Sequence, residues 1–251
     1  MKSVGPNVPV PGSAAVTNAN AEWSASTGVF NRDPDAADST ATEADATAAG
    51  YAVTVDDSGV VNYLNRFGKL TGNSYKSQDP VSEMYYAATR YFRNLGNVPT
   101  YTNLAGAGSQ ANLARWIDGF PVIRSWNDPV QYSCQKNFIL GIGDVNTHRD
   151  RNVPGSTITS TDEPAAPAEV TADSTVNATT ANNMVGQLEG IANLGTFTSG
   201  RNNSYYMAGL AYDAHTKDIR SDHSGSQTIS TYWLDVLEGQ VRGNRVVENR
   251  R

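Results

Sequence analysis

The sequence predicts an α/β fold in which a parallel sheet is flanked by helices and interrupted by long polar loops. An apolar run at residues 137–143 ends at Asp144, and apolar side chains on both faces are typical of a central parallel strand. Residues 227–237 are rich in Thr, Ile, Tyr, Trp and Val, which predicts a second buried strand. Helical patterns alternate with these strands, and this alternation indicates a parallel sheet.

The clearest helix of the chain is predicted after Asp79. Asp79 and Pro80 provide an N-cap and a first-turn proline, and Gly96 provides a stop. Shorter helices are predicted at 60–67, 182–194 and 204–216. The apolar residues that recur at helical spacing in the helix after Asp79 are Val81, Met84, Tyr85, Ala88, Phe92 and Leu95.

Two stretches of low complexity are predicted to lack regular structure. Residues 33–50 are nearly all Ala, Asp, Ser and Thr, and so little apolar area does not offset the entropy of ordering them. Most of residues 1–50 is therefore predicted to be loop. Residues 154–181 are similar in composition, which predicts a surface insertion within a single partial domain over residues 1–251.

The composition excludes some classes of function. The chain has 251 residues and a net charge of -6, and its Lys and Arg residues are scattered rather than gathered in a stripe, which argues against a nucleic-acid partner. One Cys and three His residues show no zinc-ligand spacing. No apolar run has the length of a secretory signal or a transmembrane segment. We expect either a protein that stays inside the cell or a fragment.

Several longer phrases of the sequence occur together in a specific order. They are residues 118–123 (DGFPVI), 131–138 (QYSCQKNF) and 141–148 (GIGDVNTH), accompanied by 77–86 (SQDPVSEMYY) and 229–236 (ISTYWLDV). These phrases resemble the PilC/PilY family, whose members sit at the tips of type IV pili. The resemblance covers nearly the whole chain.

The resemblance implies an exported protein of the pilus tip or outer-membrane surface. In that family an amino-terminal von Willebrand A-like domain, with a Rossmann-type sheet and a metal-ion-dependent adhesion site, precedes a β-propeller. This chain has no propeller-like array and no Asp-x-Ser-x-Ser motif at the end of a predicted strand. The resemblance therefore implies a fragment that is truncated at both ends. Its partners would be pilus tip proteins or a host receptor, and the intact parent, not the fragment, would hold Mg²⁺ or Ca²⁺.

The metal ligands of such a domain come from three loops, and the resemblance places two of them here. Asp79, with Ser77 nearby, stands in the loop where these domains usually carry a Thr. The alternative is that Asp79 only caps its helix. Asp144 corresponds to the acidic residue of the third loop. Its supports would be Asn146, Thr147 and Asp150, and the alternative is an ordinary strand-end turn aspartate.

A competing function is a metal-assisted hydrolase that uses Asp144, His148 and Asp150 at the strand end. No nucleophile motif or phosphate-binding loop accompanies these residues, and His148 is otherwise a solvated loop residue. A third hypothesis is that the fragment has no independent activity and no stable fold, because removal of a central strand exposes backbone groups and apolar faces.

Cys134 and the aromatic residues of the predicted helices are interpreted as structural. Cys134 precedes the first predicted strand and is interpreted as a small buried thiol, with pairing to a Cys outside the chain as the alternative. The aromatic residues in the predicted helices are interpreted mostly as core, with a binding surface as the alternative. These residues are Tyr85, Tyr86, Tyr91, Phe92, Tyr205 and Tyr206.

Overall fold

The computed structural model describes residues 3–69, 78–143, 147–159, 163–198 and 203–235. These residues form two compact units: the first unit draws on Met1–Ser77 and Asn94–Gln131, and the second on Gln78–Arg93 and Tyr132–Arg251. The elements, in chain order, are β1 (Asn7–Val8), β2 (Val16–Thr17), α1 (Ala36–Ala48), α2 (Val60–Arg66), α3 (Val81–Phe92), α4 (Gln110–Ile117), β3 (Asn137–Gly143), α5 (Ala168–Thr171), α6 (Ala178–Glu189), α7 (Tyr206–Thr216) and β4 (Ile229–Asp235). Short 3-10 turns occupy Pro99–Thr102, Leu104–Ala107 and Leu194–Thr196.

Helix α1 corrects the loop prediction for residues 33–50. It spans Ala36–Ala48, and Ala is the residue with the highest helix propensity. Ala46 is fully buried, and the hydroxyl of Thr42 accepts a hydrogen bond of 2.9 Å from the backbone N–H of Val122. The prediction was wrong because it counted only apolar area, whereas this helix packs with small and polar side chains. The core of the first unit consists of Ala46, Val55, Leu104, Ala107, Leu113 and Ile117.

The carboxylate of Glu22 caps helix α2 from a distant part of the chain. It accepts hydrogen bonds from the backbone N–H groups of Val60 at 2.7 Å and Val61 at 2.6 Å, two of the groups that a helix N-terminus leaves unpaired. Gly59 precedes the helix with φ of 89°, and a Cβ atom there would lie 2.9 Å from the Glu22 carboxyl carbon. Both the turn and the close carboxylate therefore require glycine.

The second unit contains a parallel pair of strands, as the sequence predicts. β3 and β4 pair in register from Asn137 opposite Ile229 to Gly143 opposite Asp235. One face of the pair packs on helices: Ile229 clusters with Ala214 of α7 and Ile139. The unit is thus α/β in character, with parallel strands backed by helices.

The opposite face of β3 and β4 differs from the expectation that both faces are covered. Its side chains alternate with those that pack on the helices, because successive residues of a strand point to opposite faces. We call this surface the uncovered sheet face. Its five large apolar side chains, all exposed, are Phe138, Leu140, Ile142, Tyr232 and Leu234.

The indole ring of Trp233 lies over two glycines of the neighbouring strand. Trp233 is the register partner of Gly141. A Cβ atom on Gly141 would lie 2.0 Å from the indole, and one on Gly143 would lie 3.0 Å from it. The two glycines of β3 therefore make the space that this ring occupies.

Helix α3 forms where the sequence predicts it, but its buried face differs from the predicted apolar stripe. It ends at Phe92, before the predicted stop at Gly96, and Met84 is 66% exposed. Arg90, in contrast, is buried and forms an ion pair of 3.2 Å with Asp173. Arg93 likewise pairs with Asp213 at 2.9 Å. A pattern of apolar residues alone misses a face that buries paired charges.

The described part of residues 154–181 corrects the prediction of a surface insertion. It contains α5, in which Val170 is fully buried, and it begins α6 at Ala178, which is also fully buried. Helices α6 and α7 approach closely at Gly209, whose N–H donates to the Asn182 side chain at 3.0 Å. The predicted helices at 182–194 and 204–216 correspond to α6 and α7. Among the described helices, none is long and apolar enough to span a membrane.

Candidate functional site

The predicted metal ligands lie at the start of α3 and in the loop that follows β3, and we call the place where these two segments meet the metal rim. The Nδ1 atom of His148 lies 3.0 Å from Oδ1 of Asp79, and the backbone N–H of His148 donates to the Asp79 carbonyl at 3.2 Å. The helix begins at Val81 with Pro80 at its N-cap position, and no side-chain hydrogen bond caps it, so Asp79 is not the N-cap residue of the alternative interpretation. Its side chain is 42% exposed and remains accessible to a ligand.

The buried side chain of Asp150 links this loop to α3 and to the residues just before α7. The carboxylate is fully buried and accepts hydrogen bonds from the Ser82 hydroxyl at 2.9 Å and the Ser204 backbone N–H at 2.7 Å. Burial raises the pKa of Asp150, and the nearby Thr147 hydroxyl and the hydrogen bonds from Ser82 and Ser204 oppose that rise. These contacts give Asp150 a positioning role, and the sequence alone did not reveal that Ser82 and Ser204 meet it.

The remaining predicted ligands are only partly placed. Thr147 is buried, and its hydroxyl has no partner of standard hydrogen-bond geometry among the described residues, although it lies near enough to lower the pKa of Asp150. Ser77, Asp144 and Asn146 lie outside the described residues. The structure therefore brings Asp79, Thr147 and Asp150 to one region of the second unit.

Comparison with known proteins identifies the family. The family described as PilY1 homolog, second domain, matches residues 14–211. The chain belongs to the PilY1 family. A relative from Xylella fastidiosa (strain Temecula1), named type IV pilus biogenesis factor PilY1 homolog, is 43% identical over 251 residues, which cover 95% of this chain and 20% of that protein. The chain thus spans about a fifth of the length of the relative it matches. No solved structure matches the chain.

The described residues of this PilY1-family chain do not by themselves fit a complete cation site. No group of three or more His, Cys, Asp and Glu side chains in the described ranges is arranged to hold a metal ion. A hard cation such as Mg²⁺ needs about six oxygen ligands in near-octahedral geometry. Asp79 and Thr147 offer two oxygen atoms, while the Asp150 carboxylate is already engaged.

A second carboxylate on α3 lies close to the rim and was not singled out from the sequence. Glu83 accepts a hydrogen bond of 3.1 Å from the backbone N–H of Asn152. Burial is the main cause that raises the pKa of Glu83 to about 7, and the charges of Glu163 and Asp150 add to it. The signal in the sequence is its position: Glu83 follows Asp79 by only four residues and stands in the first turn of α3.

The other candidate residues have structural roles or solvent contacts. Cys134 is exposed, so the interpretation as a buried thiol is wrong. Tyr85, Tyr86 and Tyr206 are buried, in agreement with the core interpretation. Tyr205 differs, because it is exposed and contacts the ring of Phe197.

Proposed function

We propose that this PilY1-family chain is an adhesion and assembly module of the type IV pilus, built as part of a von Willebrand A-like domain. The observation that carries the proposal is the contact between His148 and Asp79. It joins the two loops that would form the ligand-binding rim. The relative from Xylella is named a pilus biogenesis factor, and the same process is proposed for this chain.

The geometry of the strands supports a binding rim at this position. β3 and β4 are parallel, so both end at the same edge of the sheet. Ligands of open α/β sheets gather beyond the carboxyl ends of the strands. The loop carrying Thr147 and His148 follows β3 with a gap of only three residues, 144–146, that lie outside the described ranges. The exposed Asp79 carboxylate is therefore near the position where such a ligand would bind.

Metal dependence is part of the proposal for the intact protein. Asp79 and Asp144 would supply carboxylate oxygens and Thr147 a hydroxyl. The remaining oxygen ligands would come from polypeptide outside residues 1–251. A cation held in this way keeps a coordination position for an acidic group of a pilus partner or host receptor. The module would act at the pilus tip or outer-membrane surface, after export.

The test is calorimetric titration with Mg²⁺ and Mn²⁺ of two forms, residues 1–251 and a longer gene product that includes the neighbouring sequence. We expect the longer form to bind one ion and residues 1–251 to bind none. Asp79→Asn in the longer form should weaken binding at least tenfold, because it removes a charged ligand. Glu189→Gln, an exposed change at the end of α6, is the control. Equal binding by both forms would refute the metal-dependent part of the proposal.

No observation among the described residues favours the hydrolase hypothesis. Asp150 is enclosed and accepts hydrogen bonds from Ser82 and Ser204, and His148 contacts Asp79. The hydroxyl groups of Ser82 and Ser204 are buried together with Asp150. Hydrolysis of a panel of phosphoesters that Asp144→Ala abolishes would restore that hypothesis.

A further inference from the structure

The uncovered sheet face is an apolar surface of the second unit that no described residue covers. Leu140 at its centre is 68% exposed, and its neighbours Phe138 and Ile142 are 55% and 60% exposed. Tyr232 is the register partner of Leu140, and Leu234 that of Ile142. The five side chains therefore form one contiguous patch across both strands.

Such a face is unstable when it remains in water. Parallel sheets occur almost only with both faces covered, and a two-stranded sheet is at best marginally stable alone. The exposed part of the patch is on the order of 500 Å², which is near the upper end for an ordinary monomer surface. The face therefore indicates a covering element.

The connection between the two strands does not supply that element. Right-handed crossovers place the connecting helices of a parallel pair on one face, and here Ala214 of α7 packs with Ile139 and Ile229 on the opposite face. Residues 236–251 lie outside the described residues. Their sequence contains four Arg and two Gly residues and no apolar stripe at helical spacing.

We infer that the uncovered sheet face is covered by an amphipathic helix of the same polypeptide from outside residues 1–251, which joins a strand that pairs with the second edge of β3. Within the described residues β3 pairs only with β4, so one edge of β3 is available for a further parallel strand. The relative is about five times as long as the aligned chain, which covers 20% of it. Polypeptide for this role is thus present in the family.

The size of the patch favours this occupant over a second copy of the chain. A stable interface buries about 800 Å² per partner, and the patch offers on the order of 500 Å². A helix that lies across two strands needs less area, because the chain connection removes most of the entropic cost of association. The matched residues 14–211 also end before β4, so this sheet continues beyond the matched segment.

The experiment compares one substitution on the face with a matched control in the two forms of the protein. Leu140→Asp places a charge at the centre of the uncovered sheet face, and Leu188→Asp places one on α6, where Leu188 is 71% exposed. In the longer gene product we expect Leu140→Asp to lower the melting temperature by at least about 5 °C and Leu188→Asp to leave it nearly unchanged. In residues 1–251 both changes should be nearly neutral. Hydrogen exchange of residues 138–142 should be at least tenfold slower in the longer form.

Three outcomes would overturn the inference. If Leu140→Asp is neutral in the longer form, nothing in that form covers the face. If it destabilises monomeric residues 1–251, the cover lies within this chain. If residues 1–251 dimerise and Leu140→Asp separates the dimer, the occupant is a second copy. The inference does not depend on metal binding. If the longer form binds no cation but Leu140→Asp still destabilises it, only the proposed metal site is contradicted.

Discussion

The two units of the chain satisfy their buried polar groups in different ways. In the first unit, side chains mostly pair with distant backbone groups. The Glu22 carboxylate accepts hydrogen bonds from the backbone N–H groups of Val60 and Val61, and the Thr42 hydroxyl accepts one from Val122. The side chains of Glu43, Gln110 and Asp118 likewise accept hydrogen bonds from the backbone N–H groups of Val55, Ala52 and Gly68, respectively. In the second unit, several buried helix side chains also pair with side chains of other elements, as in Arg90 with Asp173 and Tyr85 with Thr231.

This difference shows what each unit uses in place of an extensive sheet. The first unit has irregular backbone between its helices, and side-chain oxygens bond the backbone groups that strands would otherwise pair. The second unit has paired strands and packed helices, so its polar side chains are free to link one helix to another element. A change in the second unit should therefore break several contacts at once, and a change in the first unit should free one backbone segment.

The largest effect is expected for Arg90→Met in the second unit. Burial alone would raise the pKa of Asp173, but hydrogen bonds from Thr175 and Tyr86 and the charge of Arg90 outweigh it and lower that pKa. Loss of the guanidinium leaves a buried carboxylate without its cation, which costs about 3–5 kcal/mol. Urea unfolding measures the loss. Tyr86→Phe removes the hydroxyl that donates to Asp173 and accepts from Arg90 but leaves the ion pair, so it should cost only about 1–2 kcal/mol.

Hydrogen exchange makes the same variant a test of the comparison. Arg90→Met should speed exchange in α3 and α7 and leave α1 and α4 unchanged, because its partners lie in the second unit. Equal acceleration in both units would show that they unfold together and that the division has no energetic meaning.

The second-largest effect is expected in the pH dependence of stability, to which Glu83 in the second unit contributes. Its pKa is raised from an ordinary 4.5 to about 7, so the folded chain binds this proton more tightly than the unfolded chain does. The contribution of Glu83 to stability should then be greatest below pH 4.5 and fall as the pH rises through about 7, by roughly 3 kcal/mol at most.

Glu83→Gln should flatten this part of the pH profile of unfolding. A smaller slope will remain, because the pKa of Asp150 is also raised. Glu189→Gln, at an exposed position, is the control that should leave the slope intact. An unchanged slope in Glu83→Gln would show that Glu83 is ionised at no cost in the folded protein.

The smallest effect is expected in the first unit for Glu22→Gln. The amide keeps the shape of the side chain but leaves one oxygen to serve both Val60 and Val61, so we expect a loss of about 1–2 kcal/mol. Faster hydrogen exchange confined to α2 and its N-terminal turn would support the view that a change in the first unit frees one backbone segment. Faster exchange that extends into α6 would contradict it.

The sequence predicted most of the second unit because its elements follow simple periods. The strands at 137–143 and 229–235 are apolar runs, and α3 and α7 carry apolar residues at helical spacing, although α3 also buries Arg90. The first unit was predicted poorly, since α1 contains mainly Ala, Thr, Asp and Glu and its contacts are polar. A bond between Thr42 and Val122 joins residues that no local pattern relates.

The candidate site was predicted in part. The motif resemblance drew attention to Asp79 and to the loop after β3, and the structure joins them through His148. The burial of Asp150 beneath Ser82 and Ser204 could not be predicted, because these residues are far apart in the chain and each is unremarkable alone. The enclosed position of Glu83 was missed for the same reason, although its spacing from Asp79 was visible.

The ring of Trp233 above Gly141 and Gly143 gives the protein a natural optical probe. Its environment depends on the exact pairing of the two strands, so a slip of one residue would carry the indole to the other side of the sheet. The emission wavelength of this single tryptophan, isolated by changing Trp23, Trp116 and Trp126 to Phe, would follow that pairing in real time. Any larger side chain at Gly141 should displace the ring and shift its emission toward the red.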